Sequence, residues 1–419
     1  MIFSDFYKLL SLTKNPLLQQ IIYHMIPPKI KQFILENLNH DLVDLALKAN
    51  NFPEIDIPFA ISQIHGIRKA KDKLPTWLEN DNIVFPPKIS MEQCSSEETA
   101  KFKASLVSGE RMADLTGGFG VDSFFFAKKV THFDYFERYE ELGKLVQHNF
   151  KLFGIDNVGF HFEDGMSRIQ QEEKKYNWIY LDPARRGENQ QKVVGLEDCD
   201  PNVLDNLGIL LEKSENILLK ASPMLDIKQA VRQISAKNAS VKQVWIVALQ
   251  NECKELLFHI TSSATENPGI HAVNILKNNK IDHFSGSWKT EMESAISVSN
   301  PKPFLYEPNA AIMKSGLFNM LGNQFKLSKI HSHSHLFFSD ELITNFPGRA
   351  FKCLEVLKFN KKEVLKRLPS KKANITVRNF PLTVAEIRKK TGIKDGGSNY
   401  LFATTDAGNN KIMLLCEKV

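Results

Sequence analysis

Between residues 1 and 85, apolar positions recur every three or four residues, at Leu9, Leu10, Leu17, Leu18, Ile21 and Ile22 and again at Leu42, Val43, Leu45, Ala46 and Leu47. That spacing gathers them on one side of a helix, and Pro27, Pro28 and Pro53 punctuate the predicted helices. Pro86-Pro87 ends the pattern and reads as a boundary. Beyond it, Ser95 or Ser96 can cap a helix running toward Leu106. The same hydroxyls stand just upstream of a glycine-rich turn and can also reach a ligand there.

From residue 111 short apolar runs alternate with amphipathic ones. They predict strands over 111–115, 131–136, 158–162, 178–181, 217–220 and 241–249, with another over 272–276. Helices are predicted over 121–129, 139–153, 202–213 and 224–237. Such alternation implies a parallel sheet with helices on both faces, whose ligands sit beyond the C-terminal strand ends. Residues 267–320 carry short strand-like runs and the prolines Pro301, Pro303 and Pro308. From Gly322 a small α/β domain is predicted. In it, 331–338 alternates as a strand does, 382–390 is a basic helix closed by Thr391-Gly392, and 400–404 with 411–416 form a hairpin around Gly408-Asn409-Asn410.

The polar residues of interest fall at the strand ends. In Asp114-Leu115-Thr116-Gly117-Gly118-Phe119-Gly120, glycines connect a strand to a helix N-terminus, where the backbone turns tightly or approaches a ligand. Gly118 and Gly120 are thus candidate cofactor contacts. Asp114 can hold a ligand amine or order the loop, and Thr116 can hydrogen-bond within it. Glu137, seventeen positions past Gly120, can accept from both ribose hydroxyls of an adenosine ligand. Asp164, after the third strand, can accept from an adenine amino group or be a surface turn acid. A pyrophosphate prefers such a turn without acids. Here Asp114 and Asp122 flank it, which tilts the reading toward S-adenosylmethionine.

Asp182-Pro183-Ala184-Arg185-Arg186 follows the fourth strand. Proline stiffens the turn, and Asp182 can contact the cofactor and orient an acceptor or take its proton. Arg185 and Arg186 can hold a phosphate. The plainer alternative is a salt-bridged turn. Lys220, ending the fifth strand, can touch acceptor or phosphate, or pair with an acid. His331, His333 and His335 would share one face of a strand. With no acid or cysteine near them in sequence, an exposed strand face is expected there and no metal site.

No apolar stretch approaches the roughly 20 residues of a membrane span, and residues 1–26 lack the features of a signal peptide. The expected location is the cytoplasm. The five cysteines are widely spaced without a C-x-x-C pair, as expected of reduced thiols. Charge is uneven: residues 301–419 hold 20 Lys+Arg against 9 Asp+Glu, while the rest is net acidic. The basic run Lys358, Lys361, Lys362, Lys366, Arg367, Lys371, Lys372, Arg378, Arg388, Lys389 and Lys390, interleaved with Phe359 and Phe380, points to an anionic partner, with nucleic acid leading.

With these stretches in view, the chain resembles class I S-adenosylmethionine-dependent methyltransferases, and more closely the bacterial subfamily with a C-terminal THUMP-like domain. MEQCSSEETAKFKA, DLTGGFGVDSFFFA, FERYEEL, YLDPARR, LLKASPMLD, FLYEPNAAIMKSG, FPGRAF and KDGGSNYLFATT carry the resemblance. After the N-terminal helical domain (1–85) read from the apolar spacing, it implies a Rossmann-like class I methyltransferase core (86–266), a ferredoxin-like segment (267–321) and a THUMP-like α/β domain (322–419). It further implies methylation of RNA, either tRNA or rRNA, and for such a transfer the strand-end residues Asp182 and Arg185 are the catalytic candidates. One departure matters. Amino-group methyltransferases of nucleic acids commonly show (Asp/Asn)-Pro-Pro-aromatic at this strand, and here Ala184 and Arg185 replace the second proline and the aromatic residue. A ring nitrogen or another acceptor therefore stays open.

Overall fold

The computed structural model describes residues 26–185, 195–277 and 280–419. They form two compact units: one runs to Lys242 and adds Leu256–Thr265, and the other comprises Gln243–Glu255 and Glu266–Val419. Among the described residues no helix is long and apolar enough to cross a membrane.

The first unit begins with helices α1 (Pro28–Glu36), α2 (Leu42–Leu47) and α3 (Ile57–Lys73). Ile30, Phe33, Ile34, Ala60 and Ile64 form their common core. The predicted apolar positions from Leu9 to Ile22 lie outside the described residues. Of the second predicted face only Leu45 is buried, while Val43 and Leu47 are 67% and 79% exposed. Nor is this region walled off at Pro86. Trp77 is buried against the rings of Phe119, Phe124, Phe125 and Phe153. Asn149 brackets Val84, accepting its N–H at 3.0 Å and donating to its carbonyl at 2.8 Å.

After α4 (Lys88–Gln93) and α5 (Glu97–Ser105) comes the sheet that positions the candidate site. Its parallel strands are β1 (Arg111–Asp114), β2 (His132–Phe136), β3 (Val158–His161), β4 (Trp178–Leu181) and, after the short antiparallel pair β5 (Ala184–Arg185) and β6 (Cys199–Asp200), β7 (Ile217–Ala221). Their order is β3-β2-β1-β4-β7, with Asp114 level with both Tyr135 and Tyr180. The connecting helices are α6 (Val121–Ala127), α7 (Glu140–Leu152), α8 (Gly165–Gln171), α9 (Val203–Lys213) and α10 (Ile227–Ser235). All seven residues of α6 are buried, consistent with its FFFA run.

The sheet is not wholly parallel. After β8 (Ser240–Leu249), the chain reverses through Gln250 and Asn251, both at positive φ, into β9 (Glu252–Thr261). Residues 256–260 of β9 then run antiparallel to β7, Ala221 facing Leu256 and Ile217 facing Ile260. Periodicity left 252–261 unassigned because Leu256, Leu257, Phe258 and Ile260 are buried on both faces and do not alternate.

In the second unit, β10 (Gly269–Ile275) pairs parallel with β8, and β11 (Ile281–Gly286) antiparallel with β10. After α11 (Trp288–Glu293), a second sheet forms from β12 (Phe304–Pro308), β13 (Ser328–Lys329), β14 (Phe337–Ser339), β15 (Gly348–Lys358), β16 (Asn374–Val377), β17 (Asn399–Thr405) and β18 (Lys411–Lys418). Its order is β13-β14-β12-β15-β18-β17-β16. Helices α12 (Ala310–Ser315), α13 (Phe318–Gln324), α14 (Lys361–Arg367) and α15 (Val384–Thr391) connect these strands, and the predicted boundary after residue 321 falls inside α13. The predicted hairpin is β17–β18. The predicted basic helix is α15, opened by a Thr383/Glu386 capping box and closed by Gly392 at φ +80°.

The 331–338 strand is corrected: only 337–339 is extended, and His331 to Ser334 is bend and turn. The His/Ser alternation mimics period two, but Leu336, Phe337 and Phe338 are buried consecutively. The three imidazoles do not line one face. His331 meets Asn379 and Asn409, while His335 stacks on Phe318.

Candidate functional site

The glycine turn is assembled by close contacts that exclude side chains. A Cβ on Gly117 would lie 2.1 Å from the Tyr135 ring, and one on Gly120, at φ +73°, would lie 2.5 Å from Val146. Gly118, at φ +54°, faces open space: the nearest atom to a Cβ there would be 3.8 Å away. The turn is pinned to both neighbouring strands. Gly117 N–H donates to the Phe136 carbonyl at 2.9 Å, and Leu115 N–H to that of Tyr180 at 3.1 Å. The Tyr135 hydroxyl, which sequence reasoning missed, donates to the Gly118 carbonyl at 2.6 Å.

Asp114 proves to be a loop-ordering residue. One carboxylate oxygen accepts from Thr116 N–H at 3.0 Å and the other from the Ser123 hydroxyl at 2.5 Å. It is buried, and burial pushes its carboxyl up to about 7 against the pull of the Ser123 and Thr116 donors, with Asp122 and Asp182 adding repulsion. A raised carboxyl binds its proton more tightly in the fold than in the unfolded chain, so this contribution to stability is full at low pH and lost as pH rises through about 7. Between pH 4 and 7 the parent should therefore lose up to roughly 4 kcal/mol relative to Asp114→Asn, measured by denaturant unfolding across pH.

Glu137 ends β2 and closes the turn from the opposite side. Its carboxylate accepts Gly118 N–H at 2.9 Å on one oxygen and Tyr139 N–H at 2.8 Å on the other. Burial raises its carboxyl above the usual range, offset in part by those N–H donors and by Arg138. Each oxygen keeps a lone pair beyond its backbone bond. Asp182 joins from β4: its N–H donates to the Thr116 hydroxyl at 2.7 Å, tying the Asp-Pro turn to the glycine turn. Its carboxylate, 38% exposed, accepts from the Lys220 ammonium at 2.6 Å. Of the two readings of Lys220, the ion pair is the one seen.

Beneath these groups lies a buried polar cluster of which the sequence showed only part. Ser96 caps α5, as one of the two predicted roles has it, while Ser95 donates to Asp122 at 2.8 Å inside the fold. Ser95 in turn accepts from Lys103 at 3.0 Å and Lys220 at 3.4 Å. The fully buried Lys103 ammonium lies 3.2 Å from Asp122, which also accepts from the Tyr180 hydroxyl at 2.7 Å. Burial alone would push the Asp122 carboxyl up, but Lys103 and Lys220 outweigh it and hold it below the usual range. Asp122 is therefore neutralised inside the fold and does not present its charge to a ligand, and Asp114, buried with both oxygens engaged, faces the loop as well, so the electrostatic argument from the two flanking acids loses its force.

Two predicted residues stand differently. Asp164 is exposed and is the N-cap of α8, accepting from Ser167 N–H at 2.7 Å and its hydroxyl at 2.8 Å. The surface-turn alternative accounts for what is seen there. Arg185 pairs through its backbone with Cys199, and Arg186 lies outside the described residues. In the basic region, Phe359 and Phe380 pack edge-to-face at 5.3 Å against the core, a structural use of both rings. No signal in the chain marked Lys103 as buried or Tyr180 as its neighbour, because a lysine reads as exposed and a strand tyrosine as core.

This is a methyltransferase fold, with a Rossmann-like core followed by ferredoxin-like and THUMP-like segments. The sequence matches a ferredoxin-like domain family over residues 304–347 and a THUMP domain-like family over 348–418. The crystal structure of a "putative methyltransferase" from Porphyromonas gingivalis W83 is similar over 94% of this chain and 100% of its own, with 28% identity and a TM-score of 0.79. A "putative RNA methyltransferase" from Pyrococcus horikoshii overlaps 48% of this chain and 98% of its own at 13% identity and a TM-score of 0.30. An rRNA methylase from Streptococcus thermophilus overlaps 39% and 93% at 13% identity and a TM-score of 0.29. The last two overlaps are too loose to bear on function. No curated protein shows significant sequence similarity to the chain.

Proposed function

We propose that the protein transfers the methyl group of S-adenosylmethionine to RNA, either tRNA or rRNA, as a member of the methyltransferase subfamily with a THUMP-like domain. The observation that carries this reading is one chain joining a methyltransferase fold to a THUMP-like segment, since THUMP domains are RNA-binding modules. The excess basic charge of residues 301–419 supports a polyanionic substrate.

The residues present fit the donor. Gly118 leaves open space where a side chain would stand, and Glu137 beside it keeps lone pairs for a ribose diol. Gly120 turns the chain into α6, and the bonds of Asp114 and Thr116 hold the loop in shape. Asp164 remains a candidate for the adenine edge through its exposed carboxylate. The donor supplies an electrophilic methyl, so the protein's main task is alignment. With one oxygen engaged by Lys220, Asp182 has the other to orient the acceptor. Arg185 is assigned to the substrate phosphate.

Incubating the protein with methyl-labelled donor and total RNA, then resolving nucleosides by mass spectrometry, tests the reading. Label in protein or small molecules alone would overturn it. With the substrate identified, Asp182→Asn should lower kcat about a hundredfold while leaving donor affinity within a few fold. Unchanged turnover would remove Asp182 from the reaction.

A further inference from the structure

The second unit contains a pocket of about 450 Å³ whose chemistry the methyl-transfer reading does not use. Glu307, near the end of β12, lines it and is almost fully buried. Both its oxygens are gripped: Arg349 donates to one from Nε at 3.0 Å and also from Nη2, and Arg378 donates to the other at 2.7 Å. A buried carboxylate held this way fixes two guanidinium groups in place. It neutralises only one of them. Lys314, from α12, lines the same pocket and has no ion-pair partner among the described residues. The described lining thus carries three cations against one anion.

Asn251 adds a neutral donor. Its side-chain oxygen is engaged by Ala310 N–H at 2.7 Å, so what it offers a ligand is its amide N–H. Met313 supplies apolar surface. The volume lies within the roughly 300–1,000 Å³ typical of small-molecule sites, large for a lone phosphate and suited to one nucleotide. FLYEPNAAIMKSG contributes Glu307, Met313 and Lys314, and FPGRAF contributes Arg349, so stretches that read as separate blocks in the sequence build one site.

We propose that this pocket binds a phosphate group carried on a nucleotide, with Arg349, Arg378 and Lys314 holding the phosphate and Glu307 positioning the arginines. The nucleotide is either part of an RNA chain or free. Only the first source rests on the proposed function.

The test is calorimetry on the full chain at low salt, with the donor site saturated by S-adenosylhomocysteine so that adenosine groups cannot bind there. Adenosine 5′-monophosphate should bind and adenosine should not. Lys314→Ala should weaken binding roughly tenfold and Lys314→Glu more. Neither should disturb the fold, because Lys314 supports no ion pair among the described residues. Equal binding of adenosine and its phosphate, affinity unchanged in both variants, or no phosphate binding would overturn the proposal. If the mononucleotide displaces a short single-stranded RNA, the occupant is a nucleotide of RNA. If the two bind independently, it is a free nucleotide. Phosphate binding without label transfer to RNA would fault the methyltransferase reading alone, and label transfer without phosphate binding would fault the pocket alone.

Discussion

Replacing Lys103 by methionine should destabilise the first unit by about 3–5 kcal/mol, the cost of leaving a buried carboxylate without its nearest charge partner. The Lys103 side chain is 0% exposed and Asp122 only 9%, so little water is available to stabilise the abandoned charge. Ser95 and Tyr180 would still donate to Asp122, but two neutral hydroxyls do not replace an ammonium. The double variant Lys103→Met/Asp122→Asn should recover most of the loss, since the cost lies in the unpaired charge. Acid behaviour gives a second readout. The depressed Asp122 carboxyl contributes stability above the ordinary carboxylate range and loses it as pH falls through its lower folded value. Without Lys103 that acid-side loss should move to higher pH. Urea unfolding followed by the first unit's tryptophans measures both effects, and a single-variant loss under 1 kcal/mol would mean that the pair is not energetically buried.

The cluster also shows what a sequence can and cannot disclose. Asp114, the glycines, Glu137 and Asp182 were legible because strand ends and loop spacing fix where they sit, and hydrogen bonds join all of them in one place. What holds them was not legible. Lys103 lies on a helix before the glycine turn, Tyr180 on a strand 58 residues beyond Asp122, and only the fold brings them to one carboxylate. Asp122 misled for the same reason, since its charge looked available until Lys103 was seen beside it. Strand β9 was lost to a continuous apolar run, and the histidine run gained a strand it does not form because side-chain alternation is not burial alternation. Both errors come from reading one-dimensional period as a face.

The largest functional effect is expected at Glu137. Its two oxygens join the glycine turn to the start of α7 through Gly118 and Tyr139, and the remaining lone pairs face a ribose diol in the proposed complex. Hydrogen bonds to a charged acceptor contribute about 1.5–3 kcal/mol each. Losing two of them in Glu137→Ala should weaken S-adenosylhomocysteine binding by roughly two to four orders of magnitude. Glu137→Gln should fall between, because its single carbonyl can satisfy one backbone N–H while its amide N–H₂ confronts the other. Loop anchoring alone would also weaken binding, so affinity by itself does not separate the two roles. Removing the 2′-hydroxyl from the ligand does. The deoxy analogue should bind less tightly than its parent to the wild-type protein, and the two should bind equally to Glu137→Ala. If the variant keeps the wild-type preference for the hydroxyl, Glu137 is a loop anchor only and the ribose is held elsewhere.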